Sequence, residues 1–345
     1  MLSLLFHPKK AIGTTRQTGF LFLVIVVFTL GGSLSAAASE QAEPFYSRNQ
    51  NPFVQIYGLP ATEGGDLLPP QSLDTRLAMD FANNFTTSAT ASESIHLDGE
   101  TWRTTLALRY GLRNDLEIGL DLPYVDHSGG IFDGLIEGWH DLWGLPQGNR
   151  NQTQRGQLAY RYAENEGTKA NVNAAGSGPG DLLLSLGVPL QQGTRALALR
   201  TTVKLPTGSP SELHGSGSTD FSLRICGEDH QTLSPWDLTY FGNAGVLLMT
   251  KGDILPDRQR HVVWFGSAGF TWQPLTWLAL KAQFDGHTPF YTSDLHELGS
   301  TSAQLVFGGT LALPEDLFVD IGMAEDVIVD TAPDAVFHFM LRRRF

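Results

Sequence analysis

Cysteine is almost absent from this chain. Cys226 is the one cysteine in 345 residues, so no disulfide within the chain can staple the fold, and burial with backbone pairing must hold it. Beyond residue 39 no run of 18 apolar residues occurs, which excludes a membrane-crossing helix there. Basic residues are scarce: 23 Lys and Arg stand against 36 Asp and Glu, a net charge of −13, and they form no basic stripe. Nucleic acid is therefore excluded as a partner. Neither a Gly-x-Ser-x-Gly elbow nor a His-Glu-x-x-His motif is present. Gly176-x-Gly178 and Gly215-x-Gly217 open extended segments rather than helices, so they are not nucleotide fingerprints.

The first residues read as an export signal. Lys9, Lys10 and Arg16 form a basic region, Phe20 to Leu30 an apolar run of eleven, and Ser35-Ala36-Ala37-Ala38 a small-residue cleavage site. Cleavage after Ala38 is expected, making residues 1–38 a signal peptide. No cysteine lies nearby to carry a lipid anchor. The mature chain keeps 20 basic and 36 acidic residues, a net charge of −16.

What the chain does contain is alternation. Leu116, Ile118, Leu120, Leu122 and Tyr124 oppose Asp115, Glu117, Gly119 and Asp121, the period of two that places side chains on opposite faces of a strand. Twelve such stretches are expected near 73–83, 101–110, 115–124, 180–190, 195–206, 218–226, 236–249, 261–272, 276–285, 302–313, 316–324 and 334–345. Short links at 111–114, 191–194, 227–235, 273–275 and 314–315 interleave with long ones at 84–100, 125–179, 207–217, 250–260, 286–301 and 325–333. That rhythm, with an even count and both ends on the short-turn side, is the pattern of a transmembrane β-barrel. Only closure satisfies every backbone group in hydrocarbon. The expected fold is thus all-β: a transmembrane antiparallel barrel of about twelve strands over residues 72–345. Aromatic girdles are expected from Trp102, Tyr124 and Trp264 on the outer side and Tyr110, Trp236, Trp272 and Trp277 on the periplasmic side, with strand parity turning Trp277 inward.

The last strand places Phe337, Phe339, Leu341 and Phe345 on one face, ending on an aromatic. It resembles the closing strand of Gram-negative outer-membrane β-barrels, whose terminal Phe belongs to the signal read by the barrel-insertion machinery. The resemblance implies export to the bacterial outer membrane, with that assembly machinery, membrane lipid and lipopolysaccharide as partners. Lys204-Leu205-Pro206-Thr207-Gly208 followed by Gly215-Ser216-Gly217-Ser218-Thr219-Asp220 resembles outer-membrane barrels of aromatic-compound degradation pathways. Asn51-Pro52-Phe53-Val54-Gln55-Ile56-Tyr57-Gly58-Leu59-Pro60 resembles a related, uncharacterised barrel family. These resemblances imply solute passage and supply no catalytic residues.

By parity the barrel interior carries both signs: Arg103, Arg109, Arg200, Lys204, Arg224, Lys281, Arg342 and Arg344 against Glu117, Asp121 and Asp320. Buried charges need water or partners, so the lumen is either wet or laced with ion pairs. An outgoing Leu-Pro twice meets an incoming Gly-Ser-Gly-x-x-Asp. This puts Pro123, Pro206, Asp181 and Asp220 inward at the extracellular mouth, either as a repeated rim turn, the favoured reading, or as a cation or solute site. Residues 39–71 carry Pro44, Pro52, Pro60, Pro69 and Pro70, which forbid a long regular element. Yet Phe45, Tyr46, Phe53, Val54, Ile56 and Tyr57 are too apolar for a free tail. The segment is expected against the periplasmic rim, with partial plugging of the lumen as the alternative.

Three functions stay open. The preferred one is passive passage or binding of a small solute through a charged lumen, without cofactor or metal. The second is a hydrolase at the extracellular rim. Against it, His127 and Ser128 are adjacent and so point to opposite faces, and His287, Asp294, His296 and Glu297 read as a solvated loop. The third is a structural barrel binding a partner through the 125–179 loop, with Trp139 and Trp143 as anchors.

Overall fold

The structure, a computed structural model, describes residues 43–130, 156–165 and 167–345. The expected signal peptide and the two tryptophans Trp139 and Trp143 lie outside these residues. Fifteen strand segments form one sheet: β1 Leu73–Ala89, β2 Glu93–Arg113, β3 Leu116–Ser128, β4 Ala159–Glu164, β5 Gly167–Val172, β6 Gly176–Pro179, β7 Leu182–Gln191, β8 Arg195–Leu205, β9 Asp220–Asp229, β10 Leu238–Met249, β11 Val262–Leu275, β12 Leu278–His287, β13 Ser302–Leu313, β14 Leu317–Asp326 and β15 Ala335–Arg344. The ring runs β1-β2-β3-β7 and onward through β15, which pairs back onto β1, closing twelve antiparallel strands. At the seam, Leu73 and Phe345 exchange two backbone hydrogen bonds of 3.0 and 2.8 Å. The terminal residue is therefore part of the ladder.

The faces are inverted relative to a water-soluble protein. Leu184, Leu186, Phe221, Leu223, Ile225, Phe284 and Ile321 are exposed on the outer face, while Arg, Asp, Glu and Gln side chains are buried on the inner one. Such an outer surface is stable only against hydrocarbon. Trp236, Trp264 and Trp272 are exposed as a girdle requires. Trp277 is exposed as well, because it sits in the turn before β12 and escapes the inward parity. Pro206, too, is exposed beyond the end of β8 rather than inward.

Two expected long loops are built differently. Residues 84–100 do not form a loop: β1 and β2 continue as a hairpin, pairing from Leu73↔Tyr110 to Ala89↔Ser94. The 125–179 stretch is also largely strand where it is described. The β4–β5 hairpin adds to the outer half of β2, and β6 pairs with the outer half of β3. β6 and β7 act as one barrel strand interrupted at Gly180-Asp181.

The largest departure concerns the segment before β1. Its described residues run inside the barrel, not along the rim. Phe45, Tyr46, Phe53, Ile56 and Tyr57 are all buried. The segment climbs the inner face of β12 in steps of two. Lys281 donates to the Glu43 carbonyl, Gln283 pairs with the Phe45 backbone, Ser47 donates to Asp285, and Asn49 bonds His287. A helical turn follows, with Val54 and Gln55 N–H donating to the Asn51 carbonyl. The Asn51 side chain accepts from Phe53 N–H at 2.9 Å, and Pro52 occupies the position where no donor is needed. The chain then descends past β9, from Gly58 beside Asp220 to Asp66 beside Glu228. Thr62 N–H donates to the Ser47 carbonyl at 3.1 Å, tying the two arms together.

Candidate functional site

The lumen is the place where the polar side chains converge. Strand alternation aims them inward, and the returning arms of the N-terminal segment bring their partners. Near the short-turn end, Glu43 meets Arg76 at 2.8 Å, Arg344 at 3.3 Å, and Arg342. Asp74 holds Arg76 at 2.6 Å from below. Lys281 pairs with Asp320 at 2.8 Å. One level up, Glu63 accepts from Arg109 at 2.7 Å and from Arg224. Arg109 also meets Asp121 at 2.6 Å, and the Tyr46 hydroxyl donates to that same carboxylate. Glu117 pairs with Arg200 at 2.5 Å and accepts Leu68 N–H at 2.9 Å. Arg103 donates to the Gln55 carbonyl at 3.3 Å.

Of the eleven residues expected to line the lumen, ten are buried on the inner face; Arg344 lies half-exposed at the short-turn edge. Three acids not among those expected residues, Glu43, Glu63 and Asp74, complete the ion pairs. Two of them belong to the N-terminal segment, where no periodicity marks them. Burial alone would raise the Glu63 carboxyl, but Arg109, Arg200, Arg224 and Arg76 outweigh it and hold it well below the usual carboxylate range. Glu43 behaves alike: burial opposes, and Arg342, Arg76 and Arg344 pull it down to about 2. Burial lifts the Tyr46 phenol above its ordinary value, so it stays a donor to Asp121.

Asp181 and Asp220 are buried, and the cation they face is the protein's own. Lys204 Nζ lies 2.5 Å from Asp181 and 3.4 Å from Asp220, with Ser216 Oγ also at 2.5 Å. Asp181 further accepts Gly208 N–H and Ser216 N–H, and Asp220 accepts Gly58 N–H at 2.8 Å. The repeated Leu-Pro and Gly-Ser-Gly-x-x-Asp pattern therefore ties two strand ends to the tip of the N-terminal segment. A Cβ on Gly58 would come within 2.9 Å of Asp220 Cβ and 3.1 Å of Lys204 Cβ. Only glycine allows so close an approach.

Above this level apolar side chains gather around the tip of the segment. Phe53, Val54, Ile56, Tyr57 and Leu59 pack with Tyr160 and Tyr162 of β4, Leu213, Leu255, Phe290, Tyr291 and Leu298 in one buried cluster. Tyr57 stacks on Phe290 at 5.1 Å, and Tyr291 donates to the Phe53 carbonyl at 2.8 Å. His127 bonds Thr101 at 2.9 Å and is buried against His214, which leaves it facing away from Ser128. His287 is engaged by Asn49 and His296 by Ser300, so the outer-loop histidines do not converge.

Phe337, Phe339, Leu341 and Phe345, expected from the sequence as an insertion signal, lie partly exposed on the outer face. Between them Arg343 reaches Glu315 at 3.2 Å and covers the Phe345 ring at 5.0 Å, a snorkelling arrangement at the membrane edge.

No curated protein matches the chain. Among solved structures, the COG4313 outer membrane channel from Pseudomonas putida F1 superposes with a TM-score of 0.54 at 10% identity, covering 81% of this chain and 98% of that one. The NanC porin gives a TM-score of 0.42 at 8% identity over 78% of this chain and 97% of that one. The P. putida toluene transporter TodX gives 0.35 at 9% identity over 79% and 87%. The first of these shows the fold to be that of a Gram-negative outer-membrane β-barrel. A family model described as a protein of unknown function, DUF3187, matches residues 20–345, and the chain belongs to that family.

Proposed function

We propose that this barrel is a channel for a small solute whose resting lumen is filled by its own N-terminal segment. One observation carries the reading: residues 43–66 are held to the wall through side chains, without joining the sheet. Their backbone–backbone bonds stay within the segment, and the ring of twelve strands closes without them. A segment attached this way is removable, because withdrawing it breaks no strand pairing. What it would uncover is a ring of inward arginines, lysines and carboxylates. Charged side chains around a water-filled path select solutes by width and field.

The reading also explains the ion pairs. Burying an ion without a partner costs several kcal/mol, so a charged passage at rest needs a counter-charged filling. Glu43 and Glu63 supply it to Arg76, Arg109, Arg224 and Arg342. Planar-bilayer recording tests this. The full mature chain should be closed or nearly so, and deletion of residues 43–65 should give steady conductance steps. A deletion variant that is folded yet silent would refute passage through the lumen.

A further inference from the structure

Where the descending arm reaches the short-turn end, Asp66, Glu228 and His230 come together, with one donor atom of each within 4.8 Å of the others. The three come from different places: Asp66 from the N-terminal segment, Glu228 from the inner face of β9, and His230 from the turn that follows. His230 Nε2 lies 3.0 Å from Asp66 Oδ2, and the Asp66 N–H donates to Glu228 at 3.2 Å. Glu228 is 6% exposed and aimed into the cluster, against Gly64 and Asp66. Unlike Glu43, Glu63 and Glu117, it has no arginine or lysine within ion-pairing distance among the described residues. A buried carboxylate beside a second carboxylate calls for a cation.

The imidazole is set to supply a metal donor. Its Nδ1 is engaged by Thr239 Oγ1 at 3.2 Å, which leaves Nε2 facing the two carboxylates. A hydrogen bond of this kind fixes ring orientation in metal sites. Asp66 is half-exposed, so the cluster opens to the periplasmic side. The backbone of residue 66 is already gripped, since Arg200 donates to its carbonyl at 3.0 Å.

We infer that Asp66, Glu228 and His230 form a divalent-metal site that pins the N-terminal segment to β9 at the periplasmic exit. The mixed nitrogen and oxygen donors suit Zn2+, with water completing the coordination. Binding would open the 3.0 Å contact by a few tenths of an ångström and replace it with two metal bonds of roughly 2.0–2.2 Å.

The test uses the full mature chain in detergent, titrated with Zn2+ against a chromophoric chelator. One Zn2+ per chain is expected, with binding weakened at least tenfold in His230→Ala and in Glu228→Gln. Thr239→Val should weaken it less, as a positioning residue, and His261→Ala at the opposite end should leave it unchanged. Heat-dependent gel mobility identifies variants that remain folded, and His230 lies in a turn where loss of the ring leaves the strand ladder intact. X-ray absorption of the loaded protein should show one imidazole with oxygen donors. Binding that is absent, or insensitive to His230→Ala in a folded variant, overturns the proposal. Its failure leaves the channel reading untouched, because conductance is measured without added metal.

Discussion

Lys204 shows how single residues hold this interior together. Its ammonium serves Asp181, Asp220 and Ser216 at once, with 1% of the side chain exposed. Replacing it with methionine keeps the volume and strands two buried carboxylates, which costs about 3–5 kcal/mol. A correspondingly lower midpoint in urea unfolding is expected, and the loss should shrink when Asp181→Asn is added. Gly58 is constrained from the other side. Gly58→Ala should cost about 1–3 kcal/mol by overpacking against Asp220 and Lys204, and much of that strain can be relieved by lifting the segment tip. Cys226 reports on this directly, since it is buried on the inner face of β9 beneath the descending arm. Maleimide labelling of Cys226 in the folded barrel should be faster in Gly58→Ala than in the parent chain, and equal rates would argue that the tip does not move.

The pH response also belongs to individual carboxylates. Glu43 and Glu63 have depressed values in the folded state. Their contribution is fully present above the ordinary value of 4.5 and is lost as pH falls through the folded values, toward about 2 for Glu43. The filled lumen should therefore stay closed from pH 8 to 5 and begin to conduct only between about pH 4.5 and 2. Opening between pH 7 and 5 would place its control on other groups.

At the scale of elements, the strands inside the bilayer were legible because hydrocarbon enforces the period of two. Residues 101–110, 116–124 and 317–324 alternate cleanly, and all lie within observed strands. Outside the bilayer that constraint disappears. The Thr86–Ile95 hairpin tip is rich in small polar residues and carries no apolar stripe, so its continuation as strand was not visible. The β4–β5 hairpin is short, and it is fixed by distant partners on β2 rather than by its own pattern. For the N-terminal segment, the apolar residues showed that it must be buried, but not where. Its attachments are side-chain bonds to residues up to 301 positions away, which no local spacing encodes. The last strand is the clearest case of a readable element. Its Phe345 closes the ladder with Leu73 while its ring lies on the outer face. Removing Phe345 deletes both a pair of backbone bonds and the terminal aromatic, so the yield of heat-modifiable barrel in cells should fall several-fold. Refolding in detergent, which needs no insertion machinery, should suffer less. Equal losses in both settings would assign Phe345 a purely structural role.

At the scale of the molecule, two systems are superposed: a wall that closes on itself, and a filling that neutralises its charges. The wall is stabilised by a continuous ring of backbone hydrogen bonds, the filling by ion pairs and by the apolar cluster around Tyr57 and Tyr291. The account predicts that they are separable. The decisive measurement is single-channel conductance of the mature chain against a variant lacking residues 43–65, both verified as folded by heat-dependent gel mobility. The full chain should remain closed across the voltage range, and the deletion variant should pass current in uniform steps. Equal conductance of the two, or silence from a folded deletion variant, would contradict the claim that this segment closes a solute pathway.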